Sequence, residues 1–267
     1  MQLLSNDYLE AYLNEIPSNL TEILEDMAKK TAFSPADFAY YIQSSATFSS
    51  NIEGNSIDID TYLKNKHFNI KTKPKEMIEI DDLVEAYNFA MQTDLTQKDF
   101  LETHKLLSRH ILSLKSQRGK LRNQQVGIFS EGRIEYMAVE PELVKTELTK
   151  LFADIKTLLE TPLSNAESLY YAAFIHLIFE KIHPFMDGNG RAGRLLEKWF
   201  LARKIGETAW AIPSEKYYAQ NRALYYQNIH IGYNYYTLKI EKSLPFLLLL
   251  PPDVPVRSKN WGGASIT

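Results

Sequence analysis

The segment KIHPFMDGNGRAGRLLEKWF, residues 181–200, obliges one helix to stop and a second to start around a short loop. Upstream of it, Ala172, Ile175, Ile178, Phe179 and Ile182 recur at helical spacing and predict a buried helix over 165–182. Pro184 disfavours the α conformation at His183, so that helix should end there and leave the imidazole at a helix-to-loop boundary. Gly188-Asn189-Gly190 then permits a tight turn, and apolar periodicity resumes through Leu195, Leu196, Trp199 and Phe200, predicting a second helix over 190–204.

The second helix opens with Arg191 and Arg194, cations at the end where the macrodipole already contributes roughly half a positive charge. Something negative is expected there. Turn amides, a helix N-terminus and two guanidiniums make a cradle sized for linked phosphates. Asp187 would repel phosphate unless a cation lay between them, and a single carboxylate plus phosphate oxygens is how Mg²⁺ is usually held. His183, at the rim of the same loop, has the near-neutral basicity to take a proton from a hydroxyl that attacks phosphorus. In-line phosphorus chemistry needs mainly positioning and charge stabilisation, which these residue types supply.

HPFMDGNGRAGR resembles the signature of the Fic (Fic/Doc) family, and every specified position is met. The resemblance extends to GKLRNQQVGI at 119–128 and SEKYYAQNRALYY at 214–226, hence to most of residues 80–230. It implies that His183 is the catalytic base and Asp187 the Mg²⁺ ligand. Asn189 with the Gly188 and Gly190 backbone would cradle the α- and β-phosphates, and Arg191 and Arg194 would contact the β- and γ-phosphates. The implied reaction is AMP transfer from ATP to a Ser, Thr or Tyr hydroxyl of a target protein. Residues 124–139 read as two short strands around Ser130-Glu131-Gly132. By resemblance this hairpin is a flap, where Val126, Gly127, Ile128 and Phe129 would align an extended piece of the target by strand addition. Tyr217, Asn221 and Tyr225 share a helical face by spacing, in a region that similar enzymes use around the adenine.

Elsewhere helical spacing dominates, over about 19–30, 35–53, 78–91, 96–112, 141–159 and 214–232. The expected fold is therefore mostly α, a Fic-type bundle around a central helix–loop–helix with one β-hairpin. Its expected division is an N-terminal helical region at 1–75, a catalytic core at 76–232 and a C-terminal helical extension and tail at 233–267. Ser34-Pro35 is a helix-start signal, and Gly54 a left-handed stop for the helix ending at Glu53. A carboxylate at a helix C-terminus faces the negative end of the dipole and needs a cation, whereas Arg194 needs an anion. FSSNIEGN, residues 48–55, resembles the inhibitory helix motif of self-inhibited Fic adenylyltransferases, with Ser49 and Glu53 at the matching positions. Glu53 is thus expected to pair with Arg194 and keep ATP from its productive pose. His176 reads as a structural histidine that orients the catalytic region, His104 and His110 as core and surface residues without a role.

Charge is close to balanced, 30 Lys+Arg against 33 Asp+Glu, leaving no broad field for nucleic acid or an anionic membrane. The absence of cysteine excludes a disulfide framework and thiolate metal sites and fits a reducing compartment. MQLLSNDYLEAYL carries acids where a secretory leader carries bases, so a cytoplasmic location is expected. Leu244 to Leu250 is too short to span a bilayer and reads as a buried helix end. The rival enzyme reading is another phosphate-centred transfer or AMP removal on the same site. The rival of another class is a non-catalytic regulatory module, which an eroded motif would have favoured. Relatives often form homodimers, so self-association is an open expectation.

Overall fold

In a computed structural model of the chain, residues 1–30, 35–68, 74–130 and 132–250 are described. The Ser34 cap, most of the basic connection at 68–75, Glu131 of the hairpin turn and the tail from 251 lie outside them. In chain order the helices are α1 (Leu9–Glu15), α2 (Leu20–Lys30), α3 (Pro35–Ile52), α4 (Ile59–His67), α5 (Lys75–Gln92) and α6 (Gln97–Leu107). The hairpin β1 (Gly127–Ser130) and β2 (Arg133–Met137) follows, then α7 (Pro141–Glu160), α8 (Asn165–Ile182), α9 (Asn189–Ile205), α10 (Ser214–Gln220), α11 (Arg222–Ile229) and α12 (Leu244–Leu247). The fold is mostly α, with one two-stranded sheet among the described residues.

Helix α8 is the axis. Every residue from Ser168 to Ile182 is buried, as expected of a helix apolar on all sides. Its start is fixed by a capping box in which Ser164 Oγ accepts from Glu167 N–H and the Glu167 carboxylate accepts from Ser164 N–H. Helices α9, α7, α1, α2 and α12 pack around it, and residues from all three stretches of the expected division enter one apolar core. No helix among the described residues is long and apolar enough to cross a membrane.

Two helices differ from the sequence reading. Helix α6 ends at Leu107 rather than at 112. The Asp82 carboxylate of α5 accepts from both the backbone N–H (3.1 Å) and ring Nδ1 (2.7 Å) of His110, drawing the chain out of the helical path. The helix expected over 214–232 is two, parted at Asn221 (φ −113°, ψ 36°), whose side-chain amide donates to Tyr217 O at 3.0 Å. Asparagine competes with the helix for its own backbone groups. Glu53 falls one residue past the end of α3, in the turn that Gly54 completes at φ +96°.

In the hairpin, Gly127 faces Met137, Ile128 faces Tyr136 and Phe129 faces Ile134, with a bulge between Ile128 and Phe129. Met137 N–H donates to Tyr233 O, so the outer edge of β2 is partly covered by the segment after α11.

Candidate active site

His183 caps α8 in the left-handed conformation, φ 50° and ψ 61°, whereas a residue before proline favours the extended region. It is the one non-glycine with positive φ among the described residues. Such a residue costs about 1–2 kcal/mol, and Arg122 holds it in place. Arg122 Nε donates to His183 O (2.8 Å), its backbone N–H to Pro184 O (2.9 Å), and its other nitrogens to Gln124 O and Val139 O at the base of the hairpin. One guanidinium thus ties the loop to the hairpin.

The loop is closed from within by Asn189, whose Oδ1 accepts from Phe185 N–H and whose Nδ2 donates to Phe185 O, both at 2.9 Å. The Asn189 side chain thus shapes the loop that leads into α9. From below, buried His104 stacks on Phe185 with ring centroids 3.5 Å apart. Its Nδ1 accepts from Gly119 N–H (3.0 Å), which leaves Nε2–H to donate to Asp187 O (2.9 Å). Burial lowers the His104 pKa to about 4 and keeps this tautomer neutral. The sequence reading gave His104 no role, and no local signal marked it. Gly188, at φ +80°, brings the chain over His104 and Leu107, where a Cβ would lie 3.1 Å from Leu107 Cδ1.

Helix α9 starts at Asn189, leaving its first-turn N–H groups without intrahelical acceptors. The Glu53 carboxylate sits against this start: a Cβ built on Gly190 would lie 2.1 Å from Glu53 Oε1. Arg194, 0% exposed, donates from NH2 to Glu53 Oε1 (2.7 Å) and Ser49 O (3.0 Å), from Nε to Ser49 Oγ (2.9 Å) and from NH1 to Tyr225 OH (3.3 Å). Burial opposes ionisation of Glu53, but Arg194 and then Arg191 outweigh it and hold its pKa below the usual carboxylate value. Arg191 is held loosely, 3.6 Å from Glu79 and 3.9 Å from Asp187, with its buried Nε unbonded.

Behind Arg194 runs a directed chain of hydrogen bonds. Tyr225 OH accepts from Arg194 and donates to His176 Nε2 (3.0 Å), and His176 Nδ1–H donates to Glu197 (2.7 Å), which Tyr218 OH also reaches. His176 thus supports the anion site through Tyr225.

A cavity of about 780 Å³ brings together His183, Glu53, Gly190, Arg194 and Tyr225 with Ile128 and Phe129 of the hairpin, room enough for a nucleotide. Burial lowers the His183 pKa to about 4 against an opposing pull from the Glu180 carbonyl, so the imidazole is neutral at physiological pH. Glu180 and Lys181, unpredicted, line the same space, as do Arg222, Tyr226 and Gln227. Tyr217 and Asn221 are not among the residues that line it, although backbone bonds from Asn221 N–H to Tyr217 O and from Tyr225 N–H to Asn221 O carry the helical spacing across the break. Phe129 is 64% exposed, and Val126 O accepts from Ala138 N–H, extending the hairpin pairing by one step. Asp187, its side chain 56% exposed, accepts from Gly188 N–H through Oδ1 at 2.6 Å. No group of three or more ligating side chains occurs among the described residues. One exposed carboxylate beside the start of α9 would suit a hard cation whose other ligands are phosphate and water oxygens.

Residues 94–201 match the Fic/DOC family. A curated relative, "Protein adenylyltransferase Fic" of Drosophila grimshawi, is 29% identical over 160 residues, which are 59% of this chain and 30% of that protein. The chain thus spans under a third of that relative. A Fic family protein from Desulfovibrio desulfuricans G20 superposes with a TM-score of 0.67 at 24% identity, over 86% of this chain and 68% of the other. A Fic domain containing signaling protein from Bacteroides thetaiotaomicron does so with a TM-score of 0.68 at 18% identity, over 88% and 91%. At these identities the structural likeness speaks to the fold.

Proposed function

From the match of residues 94–201 to the Fic/DOC family we propose that this chain transfers AMP from ATP to a Ser, Thr or Tyr hydroxyl of a target protein, restrained by its own Glu53. What carries the reading is the seat of the Glu53 carboxylate: it lies at the start of α9, against Gly190 and Arg194, in the cavity that His183 lines. An internal carboxylate there is the anion that a triphosphate would replace.

With ATP in that seat, Arg194 and Arg191 take the terminal phosphates and the α9 amides the bridging region. His183 Nε2 accepts the proton of the target hydroxyl. The hydroxyl oxygen bonds to the α-phosphorus, and the bond from that phosphorus to the β-phosphate oxygen breaks, releasing pyrophosphate to the arginines. Asp187 is the residue that would hold Mg²⁺, whose charge would offset that of the phosphates. Tyr226 and Gln227 of α11, in place of Tyr217 and Asn221, border the space left for the nucleoside. The exposed Ile128 and Phe129 would meet the target segment along the hairpin.

The test is intact-mass and peptide analysis after incubation with ATP and Mg²⁺. Glu53→Gly should gain adenylate mass at least about 10-fold faster than wild type, a loss of restraint of about 1.4 kcal/mol, and His183→Ala combined with it should gain none. Equal rates in wild type and Glu53→Gly would remove Glu53 as inhibitor, and label in the double variant would remove His183 as base. A second reading is favoured by one observation, that Glu53 lines the cavity with His183, where it could orient water against a bound AMP ester. Loss of AMP from pre-labelled protein with wild type but not with Glu53→Gly would favour that reading.

A further inference from the structure

Two buried polar atoms next to His183 have no partner. His183 Nδ1 makes no hydrogen bond, and neither does Oε1 of Glu180, one turn back on α8. The other Glu180 oxygen lies 3.8 Å from Nδ1. Leaving a carboxylate unbonded in the interior is costly, and the neighbouring helix has been cut back to admit this one. A Cβ on Gly193 would lie 2.7 Å from Glu180 Oε1, so the small residue inside RAGR makes room for the carboxylate.

The other charged and titratable groups facing this pair are committed elsewhere. Arg194 is bonded to Ser49, Glu53 and Tyr225, and Arg122 to the carbonyls of His183, Gln124 and Val139. His176 is bonded to Glu197 and Tyr225. Lys181 holds its ammonium 4.5 Å from the Tyr136 ring centroid. The imidazole Nδ1 stands beside Glu180 without a hydrogen bond of normal geometry, under only a weak pull from the Glu180 backbone carbonyl.

We propose that Glu180 is the positioning residue for His183: its carboxylate accepts Nδ1–H, keeps Nε2 free to receive the proton from the target hydroxyl, and stabilises the imidazolium so formed. The proposal rests on the AMP-transfer reading of the same site. Closing 3.8 Å to hydrogen-bond length takes a movement of about 1 Å, within reach of a side-chain rotation. The logic is that of a carboxylate behind a catalytic histidine, which fixes the tautomer and steadies the charge without taking the proton. Burial raises the Glu180 pKa above the usual carboxylate value, and the nearby His176 and Arg194 reduce that rise without cancelling it.

The experiment compares Glu53→Gly alone with Glu53→Gly carrying Glu180→Gln or Glu180→Asp. One arm follows ¹⁵N-histidine resonances against pH, with His183→Ala for assignment, to read the tautomer and pKa of His183. The other measures self-modification rate against pH. Glu180→Gln should lower the plateau rate about 100-fold. Loss of the negative charge should lower the His183 pKa and move the acidic limb of the profile to lower pH, and Glu180→Asp should recover part of both. An unchanged tautomer and pKa in Glu180→Gln overturns the proposal even if the rate falls, because a merely structural role lowers rate without moving the titration. If Glu53→Gly itself incorporates no AMP, the transferase reading fails, while the resonance titration still decides the role of Glu180.

Discussion

Helix α9 presents two buried cations to α3, four residues apart, and α3 meets each with a serine, also four residues apart. Arg194 bonds Ser49 and Lys198 bonds Ser45. The similarity ends at the carboxylates. Lys198 pairs with Glu215, both 0% exposed, and Glu215 also accepts from Ser45 Oγ, Tyr87 OH and Ser214 Oγ, while Lys198 donates to Ile212 O as well. Arg194 pairs with Glu53, whose side chain is 28% exposed, stands outside the helix and faces the cavity. One pair is sealed on every side by α3, α5, α9 and α10; the other has an open flank. Under the proposed self-inhibition, the difference separates anchoring from control. On that reading helix α3 would stay docked at the Lys198 level while the Glu53 turn yields to a competing anion.

The comparison breaks most visibly at the sealed end. Lys198→Met leaves Glu215 charged and unpaired in the interior and should cost about 3–5 kcal/mol, read as a lower urea midpoint. Glu53→Gln, at an edge that solvent reaches, should cost no more than about 1–2 kcal/mol. Equal costs would mean that α3 is not anchored at one end and open at the other.

At the open end the larger effect is on ligand. Glu53→Gly should bind ATP with Mg²⁺ about 10- to 100-fold more tightly by calorimetry, a gain of roughly 1.4–2.8 kcal/mol. Glu215→Gln should gain nothing of the kind. Tighter ATP binding in both would show that inhibition runs through the whole helix rather than through one side chain.

The open pair was legible in the sequence and the sealed one was not. Glu53 and Arg194 sit at helix ends with the wrong charge for the dipole, so each advertises a missing partner. Lys198 lies in the apolar run of α9 and Glu215 at the polar start of α10, where periodicity says which face is buried but not which distant charge meets it. The paired helices α8 and α9 followed from Pro184 and the Gly-Asn-Gly turn, because local sterics dictate both. His104 and Arg122 hold the loop through contacts 83 and 61 residues away, and no short-range pattern carries that information. The break at Asn221 was missed because apolar spacing continues across it. The pair of hydrogen bonds by which the Asn189 amide closes the loop on Phe185 was likewise not marked by any spacing.

Acid sharpens the comparison. Burial opposes ionisation of Glu215, yet Lys198 and the surrounding donors leave its pKa below 4.5, and Arg194 does the same for Glu53. A carboxyl with a depressed folded pKa contributes stability above its unfolded value and loses it as pH falls through the folded value. Both pairs should therefore hold at neutral pH and weaken progressively below pH 4.5. Glu53→Gln lacks one of the two protonations, so its stability should fall less steeply there, by up to about 1.4 kcal/mol per pH unit. Acid titration of urea midpoints measures the slope, and identical slopes would mean that Glu53 is not tied to folding through Arg194.

The serines are the finest test, because they are chemically alike and differ only in setting. Ser45 Oγ stands between a donor and an acceptor, receiving from Lys198 (2.7 Å) and giving to Glu215 (3.1 Å). Its removal leaves both charged groups short of a bond, so Ser45→Ala should cost about 1–3 kcal/mol. Ser49→Ala removes one acceptor from Arg194, which keeps Ser49 O and Glu53, and should cost about 0.5–1.5 kcal/mol. Their effects on activity should run the other way. Ser49→Ala loosens the guanidinium that Glu53 holds and should raise self-modification about 2- to 5-fold, the rate equivalent of a bond worth under 1 kcal/mol. Ser45→Ala should leave the rate near wild type while lowering the urea midpoint. A Ser45→Ala variant that activates more than Ser49→Ala would place control at the sealed pair, and the division of labour along α3 would have to be reversed.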